Sequence, residues 1–315
     1  MKKTRGDFFR RIARWLALGA LLAVVVVGGL LAWLALPRPG QFRERVSAVA
    51  GVETEPPRAA AEGFVSQAVR LRGENGLRVD LRVLRPAGEQ APLPLLVLVA
   101  GHRTGRDAVG LLGAPGPFVV AALDYPYDGP ERPRGLCQSA AAIPAARRAL
   151  GDTPAAALMA IEWLAAQPWV DSTRMELLGV SLGSPFAGVI GALEPRIRRV
   201  WFIHGGAGLR AWLDHNLRDR IKSDALRAPV AWLAYALAHG PSLESELWMP
   251  RIAPRPVVVI GARGDKRLPA ALIERLHGAA PGPKELIWME GGHVDRRPEA
   301  VRHLLDVVRS RLERG

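Results

Sequence analysis

The sequence holds one cysteine, Cys137, only three tyrosines, and no His-Glu-x-x-His or Cys-x-x-Cys pattern. A single thiol excludes an internal disulfide and leaves the redox compartment open. Cys137 also lacks the surroundings of a nucleophile, so it reads as a small packed residue. The histidines at 215, 239, 277 and 303 have no metal-ligand spacing, and neither a metal nor an organic cofactor is indicated. Lysine is scarce. The 43 basic residues, against 30 acidic ones, are overwhelmingly arginine and scattered, with no basic stripe interleaved with aromatics. That pattern argues against a nucleic-acid partner.

What is present is apolar content: 49% of 315 residues are hydrophobic, too many for disorder and enough for one large domain or two small ones. From Trp15 to Leu36 run 22 residues without a charge, which as a helix reach about 33 Å, the thickness of a bilayer core. Lys2, Lys3, Arg5, Arg10, Arg11 and Arg14 precede this run, and Arg38, Arg43 and Arg45 follow it. Trp15 and Trp33 stand near its ends, where indoles favour the interface, and the heavier positive flank belongs in the cytoplasm. The run is longer than the apolar core of a signal peptide and lacks a clear small-x-small cleavage site. The expectation is a basic cytoplasmic tail (1–14) and an uncleaved single-pass anchor (15–36), with the rest of the chain outside the cytoplasm. Secretion after signal cleavage is the alternative.

Residues 37–62, rich in Pro, Ala, Arg and Glu without a period, read as a linker. A folded domain is expected over 63–315. Phe64–Leu71 and Leu77–Leu84 predict a hairpin across Asn75-Gly76, followed by the apolar strands Leu95–Ala100 and Phe118–Leu123. Thr153-Pro154 reads as N-cap and first position of an Ala-rich helix through Ala166. Strands at Met175–Gly179, Val200–Ile203, Val257–Ile260 and Leu286–Trp288 then alternate with helices at 182–193 and 268–277, and a helix from Pro298 to Leu312 closes the chain. Continuous apolar strands mean a sheet covered on both faces, so the pattern predicts a doubly wound, mostly parallel sheet of about eight strands. The segment 207–250, with amphipathic pieces at Leu209–Ile221 and Pro229–Ala238, is too long for a plain connection. It reads either as ordinary helix packed on the sheet or as a small lid over a pocket.

Gly179-Val180-Ser181-Leu182-Gly183 matches G-x-S-x-G between an apolar strand and a helix-compatible run, the context of a nucleophile on a sharp strand-to-helix turn. With this motif in that setting, the chain from Phe64 to Leu312 resembles the α/β-hydrolase family. The run Ala-Ile-Glu-Trp-Leu-Ala-Ala-Gln-Pro-Trp-Val-Asp-Ser-Thr-Arg-Met-Glu-Leu-Leu-Gly-Val-Ser-Leu-Gly at 160–183 looks most like the dienelactone-hydrolase-like and prolyl-oligopeptidase-like branches. The dienelactone hydrolases use Cys where this chain has Ser181, so the resemblance implies esterase chemistry rather than their reaction.

The family order of nucleophile, acid and histidine implies Asp265, in Gly-Ala-Arg-Gly-Asp after a buried strand, and His293, in Glu-Gly-Gly-His after the next one. His293 would take the proton of Ser181, and Asp265 would hold the imidazole in the useful tautomer. The resemblance also implies an oxyanion hole from the backbone N–H of Leu182 and of Arg103, with Thr104 nearly as good as the latter. Asp295 is a weaker candidate for the acid, because it lies too near His293 in sequence to reach the far ring nitrogen. His204 would line the pocket or pack, and Asp124 would brace loops. The implied function is a serine hydrolase acting on small-molecule carboxylic esters. The alternatives are an acyltransferase with the same triad and a catalytically silent, membrane-tethered binding scaffold.

Overall fold

The computed structural model describes residues 3–312 except 62, 89, 90, 102, 103, 131, 295 and 296. The chain divides into two units, Met1–Arg38 and Pro39–Gly315. The first is the helix α1 (Lys3–Ala35). Its stretch Arg10–Ala35 has a mean hydropathy of 2.5 with none of its most apolar window buried, long and apolar enough to cross a membrane.

The second unit is built on a ten-stranded sheet. All eight strands expected from the sequence are present, as β3 (Phe64–Gly73), β4 (Arg78–Pro86), β5 (Leu93–Val99), β6 (Val119–Leu123), β7 (Val170–Val180), β8 (Ile197–Ile203), β9 (Val257–Ala262) and β10 (Lys284–Met289). The other two, β1 (Val49–Thr54) and β2 (Arg58–Ala59), lie where a linker was expected, and both pair antiparallel with β3. A 3-10 turn at Pro39–Phe42 places Phe42 in the core against Trp248, ring centroids 6.0 Å apart. The segment therefore belongs to the domain. One buried aromatic and edge pairing to a long strand hold it, neither of which leaves a periodic signal.

The strands lie in the order β1-β3-β4-β6-β5-β7-β8-β9-β10, and from β6 to β10 all neighbours are parallel. Alternate residues face opposite layers. Leu95, Val97, Val99, Leu177 and Phe202 point to one core with α2 (Gly135–Ala165), α3 (Gly183–Leu193) and α8 (Ala270–Ala279). Leu96, Leu98, Leu178, Trp201 and Ile203 point to the other, beneath the 3-10 helix Gly105–Leu111 and α9 (Pro298–Leu312). The chain runs from β5 outward to β6 and returns over β5 to β7, so the winding reverses there. Ligands in such sheets bind at the carboxyl ends of the strands beside this reversal.

Two local expectations are corrected, and the open alternative at 207–250 is divided between its two readings. The Thr153 helix starts at Gly135, and Thr153 is not its N-cap: its buried Oγ1 donates to Ala149 O at 2.7 Å. That bond serves the turn in which Pro154 has no N–H to give, and the Ala-rich face packed on the sheet carries the helix through the proline. Cys137 is exposed near the start of this helix rather than packed. The 207–250 segment divides. Its later part, α6 (Gly240–Leu243) and α7 (Ser245–Ile252), is core, with Trp248 and Met249 fully buried. Its earlier part, α4 (Leu209–Leu217) and α5 (Asp224–Leu237), contributes Leu213, Asn216 and Ala234 to the wall of the cleft described next.

Candidate active site

Every residue singled out for chemistry that the structure describes stands at the carboxyl edge of the sheet. Ser181 follows β7, His204 follows β8, Asp265 follows β9 and His293 follows β10. Ser181 has φ 54°, a left-handed conformation that costs a non-glycine residue of order 1–3 kcal/mol. It is held by its own N–H donating to Ile203 O at 2.8 Å and by its carbonyl accepting from Ser184 N at 3.0 Å.

The two motif glycines make this turn sterically possible. A Cβ on Gly183 would lie 1.8 Å from Val99 O, and one on Gly179 would lie 2.5 Å from Ala187 Cβ. The first clash is with backbone, which cannot rotate away. Gly183→Ala is therefore expected to remove several kcal/mol of stability. Its denaturation midpoint should drop sharply, and a midpoint equal to wild type would show that the turn is looser than described.

Ser181 Oγ lies 2.8 Å from His293 Nε2, and His293 Nδ1 lies 2.7 Å from Asp265 Oδ2. A carboxylate accepts, so Nδ1 carries the proton and Nε2 is left as the acceptor for the serine hydroxyl. Asp265 Oδ1 is occupied separately, accepting from the backbone N–H groups of Arg267 at 2.8 Å and Leu268 at 3.0 Å. Burial pushes the Asp265 carboxyl up, but the His293 hydrogen bond and charge together with these two N–H groups outweigh it and hold the group below the usual carboxylate range. The side chain is only 1% exposed, so the ionised acid is locked in one orientation.

Leu182 N–H, at the N-terminal end of the eleven-residue α3, has no partner among the described residues. It meets the requirement for an oxyanion donor at the positive end of a helix dipole. Arg103 lies outside the described residues, as does Asp295. Thr104 is spent on its own turn: its N–H and its Oγ1 both donate to Gly101 O, at 3.0 and 2.8 Å. Asp124 accepts from Arg106 N at 2.8 Å and so braces the loop after β5.

His204, also at positive φ (51°), puts Nδ1 3.9 Å from Asp265 Oδ2 and its ring 5.8 Å from that of His293. His204, Asp265 and His293 bring three potential metal ligands within 4.8 Å. Two of those residues are already joined by hydrogen bonds through the same atoms, so a bound ion would have to break the Ser181–His293–Asp265 chain. That arrangement suits proton transfer better than coordination.

Several contributors carry no sequence signal. Tyr125 O–H donates to Ala100 O at 2.6 Å and fixes the end of β5 beside Ser181. Glu244 accepts from the backbone N–H groups of Gly208 and Leu209 at 3.1 Å each and caps α4. Trp212 Nε1 and Asn216 Nδ2 donate to Arg267 O, and His215 Nε2 to Lys266 O, all at 2.9 Å, which ties α4 to the loop that holds Asp265. A cleft of about 1420 Å³ opens at Ser181 and His293.

No protein-family model matches the chain. Two uncharacterized proteins from different strains of Mycobacterium tuberculosis are each 33% identical to it over 154 residues, 47% of this chain and 48% of theirs. The match thus spans about half the length of these curated relatives. Among solved structures, the acetyl xylan esterase from Paenibacillus sp. R4 superposes with a TM-score of 0.59 at 16% identity, covering 85% of this chain and 91% of that one. The α/β hydrolase GrgF from Penicillium sp. sh18 gives 0.56 at 17% identity, covering 79% and 98%. A cold-adapted esterase from an Arctic intertidal metagenomic library gives 0.53 at 16% identity, covering 79% and 96%. At such identities the likeness is one of architecture, and the fold of this chain is that of the α/β-hydrolases.

Proposed function

We propose that this protein is a serine hydrolase that cleaves carboxylic esters through an acyl-enzyme. The observation that carries the reading is the continuous hydrogen-bond chain from Ser181 Oγ through His293 to the buried Asp265, 2.8 and 2.7 Å per link, with the serine on a strained turn at a helix N-terminus. Two of the structural neighbours described above bear the name esterase, which agrees with it.

In this reading Ser181 Oγ attacks the ester carbonyl as His293 Nε2 takes its proton. The carbonyl oxygen becomes an oxyanion facing the Leu182 N–H. His293, now cationic and stabilised by Asp265, returns the proton to the departing alkoxide, leaving Ser181 acylated. Water then repeats the sequence, with His293 as base, to release the acid and the free serine. The test is hydrolysis of p-nitrophenyl esters of rising acyl length, run beside labelling of Ser181 by a fluorophosphonate. Turnover together with labelling supports the hydrolase. Inertness in both assays leaves a binding scaffold as the better reading.

The same proposal places the domain outside the cytoplasm, anchored by α1. Its support is the apolar stretch Arg10–Ala35 with the heavier basic flank on its N-terminal side. In intact cells, an impermeant fluorophosphonate should label the domain. Labelling only after lysis would reverse the topology.

A further inference from the structure

The cleft beside Ser181 has two chemically different walls. One is apolar, formed by Leu98, Val180 and Ile203 of the sheet with Leu304 and Leu305 of α9. The other carries Arg218, Arg220, Lys266 and Arg267, and the only acid lining the cleft among the described residues is Asp219. Four cations to one acid is far from the 43 to 30 of the whole chain, so general basicity does not account for it.

Of the four cations only Arg218 has a carboxylate partner among the described residues, and that carboxylate, Asp214, is shared with Arg227 at 3.0 Å. Arg218 lies 3.7 Å from Asp214, and Asp219 is 3.7 Å from Lys222, itself a cation. Among the described residues no carboxylate pairs with Arg220, Lys266 or Arg267. The cations are also brought together by construction: the bonds from Trp212, His215 and Asn216 to the carbonyls of Lys266 and Arg267 fasten the end of α4 to the acid loop. Residues 218–220 and 266–267 therefore share one mouth. Guanidinium forks and an ammonium around one opening suit a carboxylate or phosphate group.

Resting on the serine-hydrolase reading, we infer that the substrate is an amphiphilic ester with an anionic group on its alcohol side. The acyl chain lies along the apolar wall, the carbonyl meets Ser181, and the anion sits among Arg218, Arg220, Lys266 and Arg267. Attack by Ser181 breaks the acyl–oxygen bond, and the anionic alcohol leaves with the proton from His293, while water later frees the acid.

The test compares three octanoyl esters on the full-length protein in non-ionic detergent: 4-(octanoyloxy)benzoate, 4-(octanoyloxy)phenyl phosphate and the neutral methyl 4-(octanoyloxy)benzoate. The readout is the ratio of kcat/KM for each anionic ester to that for the neutral one. Differences in intrinsic reactivity cancel when this ratio is compared between wild type and variant. In Arg218→Glu/Arg220→Glu, on exposed positions, the ratio should fall about tenfold or more for at least one anionic ester. In wild type it should shrink toward a constant as salt is raised. Lys266→Ala should move it in the same direction. Whichever anion shows the larger drop distinguishes carboxylate from phosphate recognition. A ratio unchanged by charge reversal and by salt overturns the inference.

Calorimetry of the same ligands on Ser181→Ala separates the two readings. Tighter binding of an anionic ester that charge reversal removes, with no turnover in wild type, sustains the ligand class and sinks the hydrolase. Turnover with no dependence on charge does the reverse.

Discussion

On the proposed mechanism, Ser181→Ala is expected to lower kcat/KM for an ester substrate by about 10⁶-fold, close to 8 kcal/mol of transition-state stabilisation, and to abolish fluorophosphonate labelling. The size follows from the loss of a covalent step rather than a contact. Without Oγ, His293 has no alcohol to activate at 2.8 Å, and any remaining rate comes from the Leu182 N–H and from substrate binding acting on water. The substitution should leave the fold intact, since the serine hydroxyl is joined to His293 while the backbone bonds to Ile203 and Ser184 that hold the turn do not involve the side chain. Alanine at positive φ keeps much the same backbone strain as serine. Activity within tenfold of wild type, in a folded variant, would exclude Ser181 as the nucleophile.

Asp265→Asn should cost about 10⁴-fold in kcat, and the surroundings of the carboxylate say why. Oδ1 accepts from two backbone N–H groups, those of Arg267 and Leu268, so the asparagine carbonyl oxygen must take that place. Its NH₂ is then forced toward His293, where it donates to Nδ1 and drives the imidazole proton to Nε2. Nε2–H facing Ser181 is a donor and cannot accept the hydroxyl proton. The two backbone donors thus select the wrong tautomer in the variant as firmly as they orient the carboxylate in the native protein. The measurement is single-turnover acylation across neutral pH. A loss of less than tenfold would move the acid role elsewhere, with Asp295 the first residue to try.

The nearness of His204 to the same carboxylate matters for reading that result. Its Nδ1 is 3.9 Å from Asp265 Oδ2, beyond hydrogen-bond distance, whereas His293 is at 2.7 Å. Asp265 therefore serves one imidazole directly, and its ionised state is maintained by that partner and by the loop N–H groups.

Much of this is legible in the sequence. The apolar strands were readable because they are buried on both faces and so form unbroken hydrophobic runs, and their alternation with helical stretches implied a parallel sheet. Gly179 and Gly183 flank Ser181 because the turn brings backbone onto backbone, which leaves a mark in sequence. Residues 39–59 carry no such mark, because an edge strand exposed along most of its length and one buried Phe42 impose no period on the sequence. Thr153-Pro154 misled because the same dipeptide opens helices in isolation, and only packing on the sheet permits the helix to pass through it.

By itself, the sequence determined that a strand-to-helix turn presents Ser181 and that Asp265 and His293 each follow a later strand, because backbone sterics and burial impose those patterns locally. Only the tertiary structure brings the three loops, separated by 84 and 28 residues, into one hydrogen-bond chain, and it alone decided that Tyr125, Trp212, His215 and Asn216 stand around it. It also decided that the cations of 218–220 and 266–267 face one cleft. Such meetings depend on strand order and helix docking, which are set by the sum of many weak long-range contacts and have no local residue pattern to announce them.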